Sequence, residues 1–262
     1  MLKKRLIFTL LIQNGSYMLS RNFKLQSVGD VNWLRKSYQF ESLAFAIDEL
    51  VVLNVTRGEK NMGHFAEELM DLVKSCFMPV AAGGGISSIE DAYLLFNAGA
   101  DKVVINTALY HDPKVVKAII QTFGAQAVVA AIDYKLVDGI NHVFTCNGSM
   151  DTGLTVTEAV AVAERIGVGE IYLTSIERDG TGQGYDLKMV KEVAEKTRLP
   201  VIASGGVGKP EHLLQGIALG GVQAVATANL FNFIGNGLAE ARAYMLEQGT
   251  NMAIWDIGWR PE

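Results

Sequence analysis

Short apolar runs alternate with helical patterns along almost the whole chain. A short apolar run bounded by turn residues predicts a buried strand, whereas apolar positions three and four residues apart predict a helix. The strands predicted outside the repeat described next are Arg5–Ile12, Glu49–Val55, Ala127–Asp133 and Glu170–Ser175. The helices predicted there are Val31–Phe45, Asn61–Ser75, Lys114–Phe123, Thr155–Ile166 and Leu238–Glu247. Strands that are apolar almost throughout are typical of a parallel sheet covered on both faces.

One strand–helix–strand unit occurs twice. The segment Pro200–Phe231 begins with the apolar run Val201–Ala203, passes through a Ser-Gly-Gly turn into a helical pattern over Pro210–Leu219, and ends with the apolar run Ala224–Ala226. The segment Pro79–Tyr110, which begins 121 residues earlier, has the same parts in the same order. At similar offsets the first and second strands of the chain align with the fifth and sixth. Self-similarity of such a long period predicts two similar halves.

Four strand–helix units in each half predict a closed (β/α)8 barrel, a TIM barrel, as a single domain of class α/β. A doubly wound open sheet is the competing architecture, but two similar halves favour closure. We assign residues 1–250 to the barrel and residues 251–262 to a C-terminal tail that contains Trp255 and Trp259. The tail either covers an apolar bottom of the barrel or is loose. Ligands of such barrels bind at the carboxyl ends of the strands.

Three connections are long or rich in turn residues. We predict a polar loop over Gln13–Asp30, and loops of this length are usually active-site lids or disordered segments. Tyr134–Gly148 is predicted as a hairpin because Asp138-Gly139 is a strong hairpin-turn signal. The glycine-rich segment Arg178–Gly184 has the composition of a loop that folds over a ligand.

Composition excludes several classes of partner. With 49% hydrophobic and 19% charged residues, the chain has an ordinary globular composition. A net charge of −5 without a basic stripe argues against a nucleic-acid partner. The two cysteines, Cys76 and Cys146, lack metal-ligand spacing, so we expect a reducing cytoplasm and no bound metal.

The first residues of the chain resemble a secretory signal peptide in composition. Lys3, Lys4 and Arg5 precede an apolar run over residues 6–12. No small-residue cleavage site follows, and Gln13-Asn14-Gly15 has the composition of a turn, so a first strand is the preferred interpretation. No stretch is long and apolar enough to span a membrane, so we expect no membrane partner.

Both repeats place bare glycine backbone where a strand gives way to a helix. Gly83-Gly84-Gly85 does so in the first repeat, and Ser204-Gly205-Gly206 in the second. Exposed N–H groups beside a helix N-terminus form an anion site, and phosphate is the usual occupant. The alternative for any single glycine is a plain turn, but the pairing favours two phosphate sites.

Four motifs follow one another in a fixed order: GGGI…GADKVVINTA, AIDY, LTSIERDGTGQGYD and IASGGVGKPEH. Together they resemble the cyclase subunit of imidazole glycerol phosphate synthase, from Leu2 to about Glu247, and the block Glu170–Asp186 is highly specific to that family. The resemblance implies a twofold (β/α)8 barrel that binds a phosphorylated small molecule with a phosphate at each end. It implies no cofactor, neither metal nor redox. It also implies a separate glutaminase subunit that docks on the barrel bottom and sends ammonia along the axis to a reaction that closes an imidazole ring.

The resemblance carries binding positions over to matching residues. One phosphate set comprises Gly84, Gly85, Asn106 and Thr107. The other comprises Gly180, Gly205 and Gly206, with Asn229 in place of the family's serine. Asn229 still supplies a hydrogen-bond donor. The retained substrate-contact positions are Thr174, Ser175 and Asp179.

The family's catalytic pair is kept only in part. The resemblance implies two aspartates, at the ends of strands one and five, as general acid and base. Strand five has Asp133, whereas the matching position in strand one is Leu11. Leucine neither gives nor takes a proton, and the loss of such a group typically costs about two to four orders of magnitude. The family's anchoring lysine falls on Leu19, and an acidic residue that ends strand two becomes Asn54.

The family's charged ring at the ammonia entrance is kept in full, as Arg5, Glu49, Lys102 and Glu170. Features of this face often serve stability alone. An ion-pair ring on the barrel axis is nevertheless expensive to keep dry and is not needed for packing. Asp101 matches a family position that contacts the glutaminase.

A retained ammonia entrance with half of the proton-transfer pair resembles second-copy paralogs associated with surface-polysaccharide biosynthesis. That resemblance implies a subunit that passes ammonia to a sugar amidotransferase and has impaired ring closure. The alternatives are a working cyclase of histidine biosynthesis, in which Asp133 with a water covers for Leu11, and a non-catalytic scaffold that only activates a glutaminase. A phosphosugar isomerase of the same barrel family is more distant, because it also needs an acid–base pair at strands one and five.

Overall fold

The computed structural model describes residues 2–38, 43–74, 76–218, 222–229 and 231–254. The strands in these ranges are β1 Arg5–Gln13, β2 Ser16–Arg21, β3 Lys24–Gly29, β4 Glu49–Asn54, β5 Val80–Gly83, β6 Lys102–Ile105, β7 Val128–Val137, β8 Ile140–Thr145, β9 Met150–Thr155, β10 Glu170–Ser175, β11 Val201–Ser204 and β12 Val222–Thr227. The helices are α1 Val31–Ser37, α2 Met62–Val73, α3 Ile89–Asn97, α4 Thr107–His111, α5 Pro113–Phe123, α6 Val156–Ile166, α7 Leu187–Lys196, α8 Pro210–Ala218 and α9 Gly237–Glu247.

Eight of the strands run parallel and close into a barrel. Around the circle they follow the order β1, β4, β5, β6, β7, β10, β11 and β12, and β12 pairs with β1 to complete it. At this closure Arg5 lies beside Ala224 and Phe8 beside Thr227. The predicted single (β/α)8 barrel is confirmed, and the open doubly wound alternative is wrong.

Side chains alternate along each barrel strand between the barrel interior and the surrounding helices. The apolar cluster inside the barrel consists of Ile7, Val51, Ala81, Val104, Val129, Ala131, Tyr172, Ile202, Ala224 and Ala226. The outward-facing residues form a larger core beneath the helices. Because both faces of each strand are buried, the strands are apolar throughout, as the sequence pattern indicated.

The segment predicted as a polar loop, Gln13–Asp30, is instead an antiparallel hairpin. β2 pairs with β1 and β3 pairs with β2. The predicted turn is present at Asn14-Gly15, with φ of +47° and +78°. The loop prediction was wrong because the segment is largely polar and little of it is buried. Only Tyr17 and Met18 are buried in it, too few to show the alternation of a strand.

A second antiparallel extension follows β7. β8 pairs with β7 across the predicted Asp138-Gly139 turn, which has φ of +49° and +84°. β9, which the sequence did not predict, pairs with β8. Each half-barrel therefore opens with a three-stranded ribbon, β1–β3 or β7–β9, so the internal repeat extends beyond the segments in which it was found.

Most helices begin where the cap chemistry predicts. Asn61 and Thr155 cap α2 and α6 with their side chains, and Pro113 and Pro210 are the first residues of α5 and α8. The first helix is an exception, because it ends at Ser37 rather than Phe45. Tyr38 has extended backbone (φ −129°, ψ 125°) and packs its ring 5.3 Å from that of Phe8. No helix in the described ranges has the length and apolar character to cross a bilayer.

Asn251 and Met252 lie against the start of β1. The backbone N–H of Lys4 donates to the carbonyl of Asn251 at 2.8 Å, and Met252 is buried. The predicted ends of two helices at Ser75 and Leu219 lie outside the described residues, as do residues 39–42 of the first. Trp255 and Trp259, on which the prediction about the tail depends, also lie outside them.

Candidate active site and axial ring

The carboxyl ends of the barrel strands, here called the top, surround a cavity of about 760 Å³. A smaller cavity of about 220 Å³ adjoins it beneath the β2–β3 hairpin. The residues that the resemblance assigns to one phosphate line the larger cavity: Gly84, Gly85, Asn106 and Thr107. Those assigned to the other phosphate line the smaller cavity: Gly180, Gly205, Gly206 and Asn229. The structure therefore brings each set together.

The two glycine turns have matching backbone conformations. The φ angles are +97° and +107° at Gly84 and Gly85, and +92° and +104° at Gly205 and Gly206. A Cβ on Gly84 would lie 2.2 Å from the carbonyl oxygen of Asn54. Since L side chains rarely adopt these angles and the space is filled, the turns require glycine. Such turns present N–H groups to an anion.

A lysine that sequence reasoning missed lies beside the first glycine turn. Lys60 Nζ donates to the carbonyl of Asn54 at 2.7 Å, and its aliphatic chain packs on Gly85. Burial, together with the charge of Arg57, lowers the pKa of Lys60 to about 8. Both cations line the larger cavity, so an anion at this turn would meet them directly. Their place just after strand β4, at the top of the barrel, was the available signal.

Asp133 lies in β7 and lines the larger cavity. Asn106 Nδ2 donates to its Oδ2 at 3.0 Å. Burial of the carboxyl group raises the pKa of Asp133 to about 7, while a hydrogen bond with Thr174 opposes the rise and the charge of Asp179 adds to it. A carboxyl group that titrates near neutral pH can both give and take a proton under physiological conditions.

Leu11 occupies the wall of the cavity that faces Asp133. β1 and β7 are four strands apart in the circle of eight, and are therefore diametrically opposite. Leu11 is 8% exposed, and Leu25 and Leu53 line the cavity with it. Among the described residues, no acidic side chain reaches the cavity from this apolar wall.

The remaining predicted substrate positions have mixed placements. Thr174 lines the larger cavity, whereas Ser175 lies on the opposite face of β10 and is buried. Asn54 also lines the cavity, and its side-chain oxygen accepts from the backbone N–H of Thr56 at 3.0 Å. The amide of Asn229, which follows β12, donates at 3.3 Å to the backbone carbonyl of Val207 in the neighbouring loop after β11.

The β2–β3 hairpin covers the top of the barrel and is held by Asp179. The Oδ2 atom of Asp179 accepts from the hydroxyl of Ser20 at 2.5 Å and from the backbone N–H of Phe23 at 3.1 Å. Gly180 permits this approach, because a Cβ there would lie 2.1 Å from the carbonyl oxygen of Ser20. The hairpin also carries Leu19, which lines the smaller cavity. Asp179 and Gly180 therefore contact the hairpin as well as the cavities.

Four charged side chains form a ring at the opposite, N-terminal end of the barrel, here called the bottom. Glu49 lies 2.7 Å from Arg5 and 2.9 Å from Lys102, and Glu170 also pairs with both cations. The side chains of Glu49 and Glu170 are only 3% and 7% exposed. Burial acts to lower the pKa of Arg5, but Glu170 and Glu49 outweigh it and raise that pKa. All four predicted ring residues meet in this structure.

The bottom face around the ring is partly apolar. Asp101 accepts from the backbone N–H of Val80 at 2.8 Å and remains exposed. Phe77 and Leu2 are 75% and 81% exposed close to the starts of β5 and β1. Among the described residues, no three His, Cys, Asp or Glu side chains are grouped so as to hold a metal ion.

Comparison with known proteins gives consistent matches. Residues 9–235 match the family described as histidine biosynthesis protein. A protein of Parasynechococcus marenigrum (strain WH8102), provisionally named imidazole glycerol phosphate synthase subunit hisF2, is 42% identical over 98% of this chain and 96% of its own length. The imidazole glycerol phosphate synthase subunit HisF of Thermotoga sp. (strain RQ2) is 42% identical over 97% of this chain and 99% of its own. That of Hyphomonas neptunium is 40% identical over 95% and 98%.

These matches cover nearly the whole chain, and they agree with the closed barrel and with the paired glycine turns at its top. The chain belongs to the histidine biosynthesis protein family and, within it, to the HisF-type subunits of imidazole glycerol phosphate synthase.

Proposed function

We propose that this chain receives ammonia from a glutaminase at its bottom, holds a phosphorylated substrate at its top and closes the imidazole ring only slowly. The observation that carries the proposal is an intact charged ring in the same molecule as Leu11 facing Asp133. Buried charges are expensive and packing does not need them, so the ring supports a retained path for ammonia. The family resemblance implies one acid and one base for ring closure, so the leucine supports a weakened reaction.

The substrate carries a phosphate at each end. Support comes from the two glycine turns of matching conformation, each in its own cavity, and from Lys60 and Arg57 beside the first. Crystals soaked in sulfate should show one anion near Gly84-Gly85 and another near Gly205-Gly206. Density at neither turn would contradict the two-phosphate substrate.

The partner is a glutaminase of the Cys-His-Glu type that docks on the bottom face. The ring lies at the centre of that face, with exposed Asp101, Phe77 and Leu2 around it. A mixture of apolar and charged groups suits an interface between two proteins. Co-expression should recover the two chains together and raise the rate of glutamine hydrolysis.

The ammonia has an acceptor other than the imidazole precursor, and we propose a sugar carboxyl group of a surface polysaccharide, amidated by a sugar amidotransferase. The support is indirect, because a subunit that keeps the entrance for ammonia but lacks Asp at position 11 has little use for ammonia in its own cavity. Incubating the chain, its glutaminase and the candidate amidotransferase with labelled glutamine should transfer the label to the sugar. Equal transfer without this chain would exclude that role.

The decisive experiment is an ammonia-dependent cyclase assay on the isolated chain, with a HisF subunit that has both aspartates as the reference. We expect a rate at least about a hundredfold below the reference, the low end for the loss of one acid–base group. The second candidate function is a working cyclase, which the neutral-range pKa of Asp133 favours because one such group can serve in both directions. A rate equal to the reference would select that function.

A further inference from the structure

Three hydroxyl groups form a hydrogen-bonded bridge inside the barrel. Tyr172 of β10 lies 2.7 Å from Thr9 of β1, oxygen to oxygen, and accepts from Ser204 of β11 at 3.1 Å. The three side chains are almost fully buried, and the inward-facing neighbours in the cluster are apolar. The phenol of Tyr172 is therefore fixed across the barrel interior by contacts to two other strands.

The bridge lies between the charged ring and the larger cavity. Tyr172 is two residues beyond the ring residue Glu170 along β10, and Thr9 is four beyond Arg5 along β1. At the rise of a strand, this separation is on the order of 10 Å. Tyr172, Thr9 and Ser204 also line the floor of the cavity. A small molecule that moved from ring to cavity along the axis would have to pass these three hydroxyl groups.

The hydroxyl bridge has the hydrogen-bonding capacity that ammonia requires. Ammonia offers one acceptor lone pair and three N–H donors. If Ser204 donates to Tyr172 and Tyr172 to Thr9, the hydroxyl proton of Thr9 is free to donate, and the lone pairs of Ser204 are free to accept. We infer that the bridge of Thr9, Tyr172 and Ser204 is a binding site for neutral ammonia, an inference that rests on the proposed function.

The surroundings favour ammonia over ammonium. The bridge itself carries no charged group, and its neighbours within the barrel interior are apolar, although Asp133 and Asp179 act on Tyr172 from the cavity above. Transfer of an ion into the apolar interior is far more costly than transfer of a neutral molecule that keeps its hydrogen bonds. Burial raises the pKa of Tyr172 to about 12, so the phenol stays protonated and neutral over the physiological range.

Tyrosine Cζ resonances of the isolated chain, labelled with carbon-13, test this site directly. Ammonium chloride is titrated into the labelled chain at a pH about two units below the pKa of Tyr172. At that pH the phenol of Tyr172 remains protonated. Potassium chloride at the same pH and ionic strength is the reference. We expect a saturable shift of the Tyr172 resonance. That resonance is assigned as the one missing from the spectrum of the Tyr172→Phe variant. The resonance of Tyr185, a buried phenol that donates to the carbonyl of Ala226 outside this bridge, should not move.

The variant Thr9→Val keeps the shape of the side chain and removes one end of the bridge. It should raise the ammonia concentration at half-saturation by about fivefold, the effect of one hydrogen bond. Ser204→Ala should act in the same direction from the other wall. An unmoved Tyr172 resonance, or Thr9→Val and Ser204→Ala chains that titrate like the natural one, would overturn the inference. Binding of the glutaminase to the chain is measured in a separate experiment. Failure of the proposed function can therefore be distinguished from failure of the ammonia site.

Discussion

Strands β1 and β7 each begin one half of the barrel, and each continues into two antiparallel strands. Their hairpin turns match as well, since Asn14-Gly15 and Asp138-Gly139 both have positive φ. At the end that faces the cavity, however, β1 presents Leu11 and β7 presents Asp133. The two halves thus share a backbone and differ in the one group that could transfer a proton.

This difference shows which parts of the repeat the fold itself requires. The glycine turns are needed wherever the backbone takes a positive φ beside a close carbonyl, so they occur in both halves. A strand-end side chain that points into a cavity has no such constraint. Leu11 buries apolar area there at little cost, whereas Asp133 is held with its charge disfavoured by burial. A carboxylate in such a place is explained better by chemistry than by stability.

The largest effect is expected from removing the remaining acid–base group. Asp133→Asn should lower whatever ring closure the chain performs by a further factor of about 10² to 10⁴, because no carboxyl group of the opposite wall can replace it. The measurement is imidazole product formed from added ammonia. Asp138→Asn makes the same chemical change at the exposed hairpin turn and should leave the rate unchanged. An Asp133→Asn chain as active as the natural one would mean that β7 has no catalytic advantage over β1.

A smaller gain is expected from making the two halves alike. Leu11→Asp combined with Leu19→Lys should raise cyclase activity by at least about tenfold, since it restores a second proton-transfer group and a cation beneath the hairpin. Repulsion between the carboxylate introduced at position 11 and that of Asp133 should lower the stability of the folded chain somewhat. Leu11→Asn with Leu19→Lys is the control, because it adds a polar group of the same shape without a titratable proton. An equal gain in this control would show that polarity rather than proton transfer limits the β1 side.

The barrel and its paired turns were predictable from sequence because they rest on local signals that occur twice. Apolar runs, cap residues and glycine pairs each act over a few residues, and their repetition at similar offsets indicated closure. The hairpin over Gln13–Asp30 was not predictable in this way. Its pairing with β1 is local, but its anchor on Asp179 lies far away in the sequence, and Tyr17 and Met18 alone among residues 13–30 are buried.

The residues of the candidate site were predictable only at positions that a family pattern assigns to a single role. Asp133, Leu11 and the ring could be named because a family pattern marks each position. The cation Lys60 was missed because a lysine in a loop is usually a solvated charge, and only packing against Gly85 reveals its burial. The bridge through Tyr172 was missed because an aromatic residue in an apolar strand reads as core until its hydroxyl partners are known.

A moderate effect is expected at the bottom face, where the proposed partner would contact the chain. Asp101→Lys reverses an exposed charge beside the ring and should weaken association with the glutaminase by about tenfold, through repulsion or loss of a polar contact. Affinity is measured by titration of one purified chain into the other. Glu67→Lys, on the exposed side of α2 with a side chain 82% exposed, is the matched control. Equal affinities for both variants and the natural chain would place the interface elsewhere.

The smallest effect is on the pH dependence of stability, and it tests the contrast between Leu11 and Asp133 without any substrate. The pKa of Asp133 in the folded chain, about 7, lies above the value of about 3.9 expected for the unfolded chain. The folded state therefore binds this proton more tightly. The resulting stabilisation is complete below about pH 4, declines as pH rises and is lost above about pH 7. Asp133→Asn removes this dependence.

In denaturant titrations, the unfolding free energy of the Asp133→Asn variant relative to the natural chain should therefore increase from pH 4 to 7 and level off above pH 7. The increase should be a few kcal/mol at most, at about 1.4 kcal/mol per unit of pKa difference. Asp138→Asn should follow the natural chain throughout. A constant difference between Asp133→Asn and the natural chain across this range would show that Asp133 ionises as readily as an exposed aspartate, and the apolar β1 wall would then have no bearing on its proton.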